Sequence, residues 1–353
     1  MIKLKRTLIT GITGQDGAYL AALLISKGYE VFGTYRRSST PNFWRLQYLQ
    51  IAEKVKLIPF DLLDSGSMLE ALHISNPDEV YHLAAQSFVG ASFDQPIATA
   101  QVTGLGTTRL LEGIRRINRD AKVYQASTSE LYGNSSKEAK DEESILMPRS
   151  PYAAAKLYAY WIANIYRDAY GLFVSNGILF NHESPIRGLE FVTRKVTNAV
   201  ARIKLGLQSK LRLGNLDSRR DWGYAPEYVE AMWKILQADE PSNFVVATNE
   251  SHSVRELVNL AFELAGLNPD DHVEISKSLI RPLEVDDLKG SHNKATEFLG
   301  WKPKVKFRDL IKIMYNEDLK RWKGYLDGKV FPWDALTHPD GLMVSERSYK
   351  LDK

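Results

Sequence analysis

The chain has 353 residues, 44% hydrophobic and 25% charged, with 46 basic against 43 acidic side chains, a formal net charge of +3 and no cysteine. This balance excludes a mostly disordered chain and gives no sign of a surface built around a nucleic-acid backbone. Without thiols there is no disulfide framework, thiolate zinc site, iron–sulfur ligation or cysteine nucleophile, and the length is ample for two domains around a sizeable core.

The opening Met1–Thr10 starts basic, and its apolar run stops at Gly11 in a glycine-rich turn, without a signal-peptide core or cleavage site. No stretch approaches the ~18 uncharged residues needed to cross a bilayer, so the expectation is a soluble, cytoplasmic protein. Thr7–Thr10 reads as a strand and Ala18–Lys27 as a helix ending at Gly28. Tyr29–Tyr35 is strand-like, followed by a polar stretch at Ser38–Asn42. Strands at Val55–Pro59 and Glu79–Leu83 flank a helix at Ser65–His73. Next come a helix at Thr107–Ile117, a strand at Lys122–Ala126 and a long helix at Ala153–Tyr170. Strand–helix alternation of this kind predicts an α/β fold, a Rossmann-like doubly wound parallel sheet. After Leu179, turn-rich segments separate helices at Thr193–Leu205, Glu227–Ala238 and Ser253–Ala265. We therefore expect a first domain over 1–180, with a return segment near 220–247, and a smaller C-terminal α/β domain over 181–323. An extended tail over 324–353 is expected to follow, because that segment is rich in Trp, Pro, Asp and charge without periodicity.

Gly11, Gly14 and Gly17 stand in a GxxGxxG spacing between the first strand and first helix. The first permits a tight turn, the second lets backbone approach a pyrophosphate, and the third lets helix and strand pack closely. Phosphates would sit at the helix N-terminus, where free N–H groups and the dipole favour anions. The second strand ends Tyr35-Arg36-Arg37-Ser38 with no carboxylate to bond a ribose 2′-hydroxyl. Two guanidinium forks suit a 2′-phosphate instead, so NADP is favoured over NAD.

Tyr152 and Lys156 lie four residues apart on one helical face. A phenol is a poor base near neutral pH unless positive charge favours phenolate. The run Gln125–Gly133 puts Thr128, Ser129 and Glu130 at the carboxyl end of a strand, where active residues of open α/β sheets collect. No metal site is expected.

These motifs resemble the extended short-chain dehydrogenase/reductases that act on nucleotide sugars. Within that group GITGQDG (11–17), LAAQSFVGAS (83–92), STSELYG (127–133), RSPYAAAK (149–156), FNHESP (180–185), FVTRKV (191–196), RDWG (220–223) and RPLEVD (281–286) are similar to the GDP-mannose 4,6-dehydratase family. The resemblance spans about residues 5–323. It implies a redox-neutral dehydration on bound NADP that yields a 4-keto-6-deoxy sugar. Tyr152 would take the 4-hydroxyl proton, and Lys156 would lower the tyrosine pKa and hold the nicotinamide ribose. Thr128 would bond O4, and Glu130 would remove the C5 proton. It further implies cofactor contacts from Gly11, Thr13, Gly14, Gln15, Asp16, Gly17, Arg36, Arg37, Ser38, Asp61, Leu62, Leu83, Ala84, Ala85, Ser87, Tyr152, Lys156, His182 and Arg187. Substrate contacts would come from Ser87, Thr128, Ser129, Glu130, Asn181, Lys195, Arg220, Arg281 and Glu284, in the smaller domain for the most part.

By the same resemblance the protein would be a homotetramer in which the 38–45 loop reaches a neighbouring subunit. Phe43 and Trp44 in that loop would suit an interface anchor, and self-packing would explain them equally well. Glu130 argues for a dehydratase over a 4-epimerase or 4-reductase, and the four-residue set argues against a cofactor sensor without catalysis. GDP-heptose stays open beside GDP-mannose as the substrate.

Overall fold

Strands with short β-branched runs, each followed by an amphipathic helix, can satisfy all their backbone groups only by lying parallel with helices on both faces. That is the arrangement in the protein's computed structural model, which describes residues 4–39, 42–135, 138–276, 279, 283 and 285–329. In chain order the central strands are β1 (Arg6–Thr10), β2 (Glu30–Tyr35), β3 (Lys56–Pro59), β4 (Glu79–His82), β5 (Lys122–Thr128) and β6 (Val174–Leu179). A seventh strand, Phe244–Val246, returns to pair with β6. The spatial order is Phe244–Val246, β6, β5, β4, β1, β2, β3, and every pairing is parallel. The order reverses between β1 and β4, which opens a crevice at the carboxyl ends of those strands.

Each face of the sheet has its own core. Ile9, Ile12, Leu20 and Leu24 pack with Tyr228, Met232 and Ile235 on one side. Leu8, Met68, Leu72, Leu110, Ile114 and Val174 fill the other. The first helix, Gln15–Ser26, begins three residues earlier than its apolar period, because Gly14 serves as its N-cap and Gly17 lies inside its first turn. The helix Pro151–Tyr170 has Pro151 at its first position, Ser150 Oγ accepting from Ala153 N at 3.1 Å, and Gly171 as a left-handed C-cap.

A third core joins the helices Val192–Lys204, Val254–Ala265 and Phe307–Leu326 through Val196, Val200, Leu257, Ala261, Leu310 and Met314. The last helix corrects the expected boundary at 323. It continues through Leu326, with Trp322 buried and in edge contact with Tyr325. The remainder of the expected tail, from residue 330, lies outside the described residues. Phe43 and Trp44 also differ from an exposed anchor. A short helix, Trp44–Tyr48, places Trp44 in the core of its own chain, and Phe43 packs edge-on against Tyr35 at 5.0 Å. Self-packing buries Trp44 and partly covers Phe43, which lowers exposed apolar surface. No helix among the described residues is long and apolar enough to cross a membrane.

Candidate active site

The glycine turn is shaped by contacts a side chain would break. Gly11 has φ +73°, and a Cβ there would lie 2.9 Å from Ala84 Cα. A Cβ on Gly17 would come within 2.6 Å of Gly11 O and Ile12 Cα, so this glycine lets the helix close onto β1. Gly14 is different: its Cβ would have only Gly11 O within 4 Å, at 3.3 Å. It N-caps the helix without a side-chain hydrogen bond, leaving first-turn N–H groups for an anion. A cradle open at Gly14 and closed at Gly11 and Gly17 fits a dinucleotide pyrophosphate.

Beneath the turn, Thr10 Oγ1 accepts from Leu83 N and Ala84 N, both at 3.1 Å, and therefore donates to His82 Nδ1 at 2.7 Å. Burial drives His82 down to about 3, so it is neutral, and its Nε2–H faces Thr107 Oγ1 at 3.3 Å. The histidine belongs to the support of the turn, as its place in the strand suggests.

A cleft of about 310 Å³ opens beside this turn and collects Asp16, Leu83, Ala85, Ser87, Thr128, Ser129, Glu130, Tyr152, Lys156, Asn181, His182, Arg187, Lys195 and Arg220 from distant parts of the chain. Thr128 ends β5, and a single 3₁₀ turn, Ser129–Leu131, follows it. Thr128 Oγ1 caps that turn by accepting from Glu130 N at 3.3 Å. Tyr152 lines the same cleft as Thr128 and Glu130. One helical turn on, Lys156 Nζ donates to Ala126 O at 2.7 Å.

Burial pushes the Tyr152 phenol up to about 12, opposed by the nearby Thr128 hydroxyl and raised further by the Glu130 carboxylate. Burial likewise draws Lys156 down to about 8, with Asp16 pulling it back. The groups that favour phenolate here are Thr128 and Arg187. Lowering of the tyrosine by Lys156, implied by the resemblance, therefore needs a change of state: the ammonium is engaged by a backbone carbonyl, and burial weakens its hold on the proton.

The strand Asn181–Glu183 closes the cleft opposite the helix. His182 Nε2 meets Asp16 Oδ2 at 2.7 Å and its Nδ1 meets Phe180 O at 2.7 Å. Neither partner can donate, so both ring nitrogens carry protons and His182 is an imidazolium. Its pKa is raised because Asp16 outweighs the burial penalty, while His182 and Arg187 hold Asp16 down at about 2. Arg187 pairs with Glu183 at 3.2 Å and lies 3.6 Å over the Phe191 ring.

Other expected cofactor residues lie away from the cleft walls. Arg36, Arg37 and Ser38 are exposed just past the end of β2. Asp61 Oδ1 accepts from Leu63 N at 2.9 Å in a loop after β3. Leu62 has its side chain in the core against Gly106, and Arg109 donates to its carbonyl oxygen, so the Leu62 side chain has no face toward a ligand. Thr13 O and the Gln15 amide are spent on bonds to Arg45, His182 O and Ser184. Arg281 and Glu284 lie outside the described residues. Sequence reasoning missed Glu183, Glu190, Phe191, Asn215 and Trp222, which line the cleft. Glu183, Phe191 and Trp222 fall inside motifs that had already been noted, but nothing in their spacing marked them individually.

A parallel sheet in this order, with a tyrosine–lysine helix facing a glycine turn across the strand reversal, defines an extended short-chain dehydrogenase/reductase. Within that class the chain belongs to the GDP-mannose 4,6 dehydratase family, whose family model matches residues 8–314. It is 51% identical over 346 residues to GDP-mannose 4,6 dehydratase 1 of Arabidopsis thaliana, covering 93% of this chain and 96% of that one. Among solved structures it is similar to RMD from Pseudomonas aeruginosa complexed with NADPH, at 26% identity and TM-score 0.74, covering 90% and 100% of the two chains. A Thermus thermophilus UDP-glucose 4-epimerase in complex with NAD matches at 26% identity and TM-score 0.78, covering 89% and 98%.

Proposed function

We propose that this chain is a hydro-lyase that uses NADP to convert GDP-mannose into GDP-4-keto-6-deoxymannose. Family membership supports the reaction, and the observation that carries it is Glu130, two residues past Thr128 on the same cleft wall. A simple 4-dehydrogenase needs a hydroxyl, a phenol and an ammonium. Elimination across C5–C6 needs a further acid/base, a role a carboxylate such as Glu130 would suit.

Bound NADP would supply the two-electron oxidation at C4 and the matching reduction at C6. The chain's own residues handle the protons. Tyr152 takes the proton of the 4-hydroxyl while Thr128 bonds O4. The resulting ketone acidifies the C5 hydrogen, which Glu130 removes. The C6 hydroxyl leaves as water with a proton from Glu130, forming a C5–C6 double bond; as C6 is reduced, C5 takes a proton equivalent to the one Tyr152 accepted, exchanged through solvent, so that both residues are reset. Arg187, Lys195 and Arg220 offer cations for the diphosphates, and residues 181–323 hold most of the sugar nucleotide. The Tyr152 phenol at about 12 is a base only once positive charge enters the cleft, which couples its activation to the oxidised cofactor.

Preference for NADP rests on Arg36 and Arg37, exposed at the end of β2 where no carboxylate stands. The two solved relatives named above hold NADPH in one case and NAD in the other, so the family frame admits both. The test is incubation with GDP-mannose and, side by side, a GDP-heptose, without added reductant. A 4-keto-6-deoxy product from GDP-mannose is expected, and its absence with both sugars overturns the reading.

A further inference from the structure

Three consecutive carbonyl oxygens in the loop that carries Arg187 each receive a guanidinium from a different part of the chain. Arg321 donates to Pro185 O, Arg45 Nε donates to Ile186 O at 2.8 Å, and Arg194 Nη1 donates to Arg187 O at 2.8 Å. A loop cannot satisfy its carbonyls by a ladder, so these donors decide its path. Arg194 and Arg321 are buried and share one oxygen of Asp318, at 2.7 and 3.4 Å, while Thr197 donates to the other at 2.8 Å. They fix the loop to the last helix.

Arg45 does something else. Its Nη1 also donates to Thr13 O at 3.1 Å, inside the glycine turn, so one planar fork spans the turn and the Arg187 loop. Its guanidinium lies 4.4 Å from the Trp44 ring centroid, and Trp44 is in the core. The short helix Trp44–Tyr48 is itself anchored, because Tyr48 Oη donates to Glu317 at 3.0 Å. Gln15 makes a second bridge between the same two segments, through Ser184 Oγ at 2.7 Å and His182 O at 3.1 Å. Past Arg187 the loop leads directly into the helix Val192–Lys204, which brings Lys195 to the cleft.

We propose that Arg45 is a positioning residue that fixes the glycine turn to the Pro185–Arg187 loop, so that a dinucleotide in the turn orders the loop and the helix behind it for a nucleoside diphosphate. This rests on the cofactor and substrate reading above. Neither ligand is touched by Arg45 in this scheme; it acts through Thr13 O and Ile186 O.

The experiment is calorimetric titration of the full chain with GDP, with and without saturating NADP, for the wild type, Arg45→Met and Arg45→Lys. In the wild type, NADP is expected to tighten GDP binding about fivefold or more, within the usual range of coupling between sites. In Arg45→Met that gain should vanish, while melting stays within about 4 °C of the wild type. Arg45→Lys keeps the charge without the fork and should lose more than half of the gain; if Arg45→Met does not fold, this variant carries the test. A full wild-type gain in either folded variant, or no gain in the wild type, overturns the proposal. Because only binding is read, wild-type protein that couples the two ligands but forms no keto sugar would sink the dehydratase reading and leave this one standing.

Discussion

Tyr152 and Lys156 face one cleft, yet burial works against the charged form of each, lifting the phenol to about 12 and lowering the ammonium to about 8. In the proposed reaction Glu130 has a separable task. Glu130→Gln should lower dehydration by at least about a hundredfold, as expected for loss of a general acid/base. NADP affinity measured by titration should stay within about twofold of the wild type, because the carboxamide keeps the shape of the wall. The Asp16–His182 pair gives a pH signature. Asp16, held down at about 2, contributes stability above its unfolded value, and that contribution is lost as pH falls toward 2. His182, whose pKa is raised, contributes below its unfolded value, and its contribution is lost as pH rises through the folded one. The pair is therefore worth most between about pH 4 and 6.5. The melting temperature lost in Asp16→Asn should be largest there and shrink by pH 9, and imidazole ¹⁵N shifts should report both ring nitrogens protonated at pH 6. Tyr152 with Lys156, and Thr128 with Glu130, were legible because each pair is close in the chain, four residues apart on one helical face and two apart where a strand gives way to a turn. Asp16 and His182 are 166 positions apart, and only packing joins them.

At the level of elements, the turn after β1 is the part of the site most directly written in the chain. Its three glycines serve different ends, and the closest approach is at Gly17. Gly17→Ala should force helix and turn apart at a cost of about 1–3 kcal/mol, read by denaturant unfolding, with loss of dinucleotide binding in titration. The helix Phe307–Leu326 escaped sequence reading for a physical reason. Its buried positions include Leu310, Ile311, Met314, Tyr315 and Trp322, which recur at helical spacing, but Asp318 and Arg321 sit on the same face. Two charges in the apolar stripe interrupt the pattern that marks an amphipathic helix. The short helix Trp44–Tyr48 was hidden in the same way, within polar sequence that gave its aromatic rings no periodic company.

Across the whole molecule, those interrupting charges are what tie the second packing unit to the cleft. Asp318 holds Arg194, Arg321 and Thr197, and through the arginines it fixes the loop bearing Arg187. Asp318→Ala leaves buried guanidinium groups without their carboxylate and should cost about 3–5 kcal/mol in denaturant unfolding, far more than loss of a surface pair. The sequence by itself determined the parallel α/β class, the glycine turn and the two short-range pairs that line the cleft, Tyr152 with Lys156 and Thr128 with Glu130, because each depends on residues close together in the chain. Tertiary structure alone decided which cations reach the cleft, that His182 is charged, that Trp44 faces inward, and that Arg45 and Arg321, from distant segments, join the nearby Arg194 in holding one loop. Those outcomes depend on burial and on the satisfaction of buried carbonyl and carboxylate oxygens, which are properties of how distant segments pack and have no counterpart in local spacing.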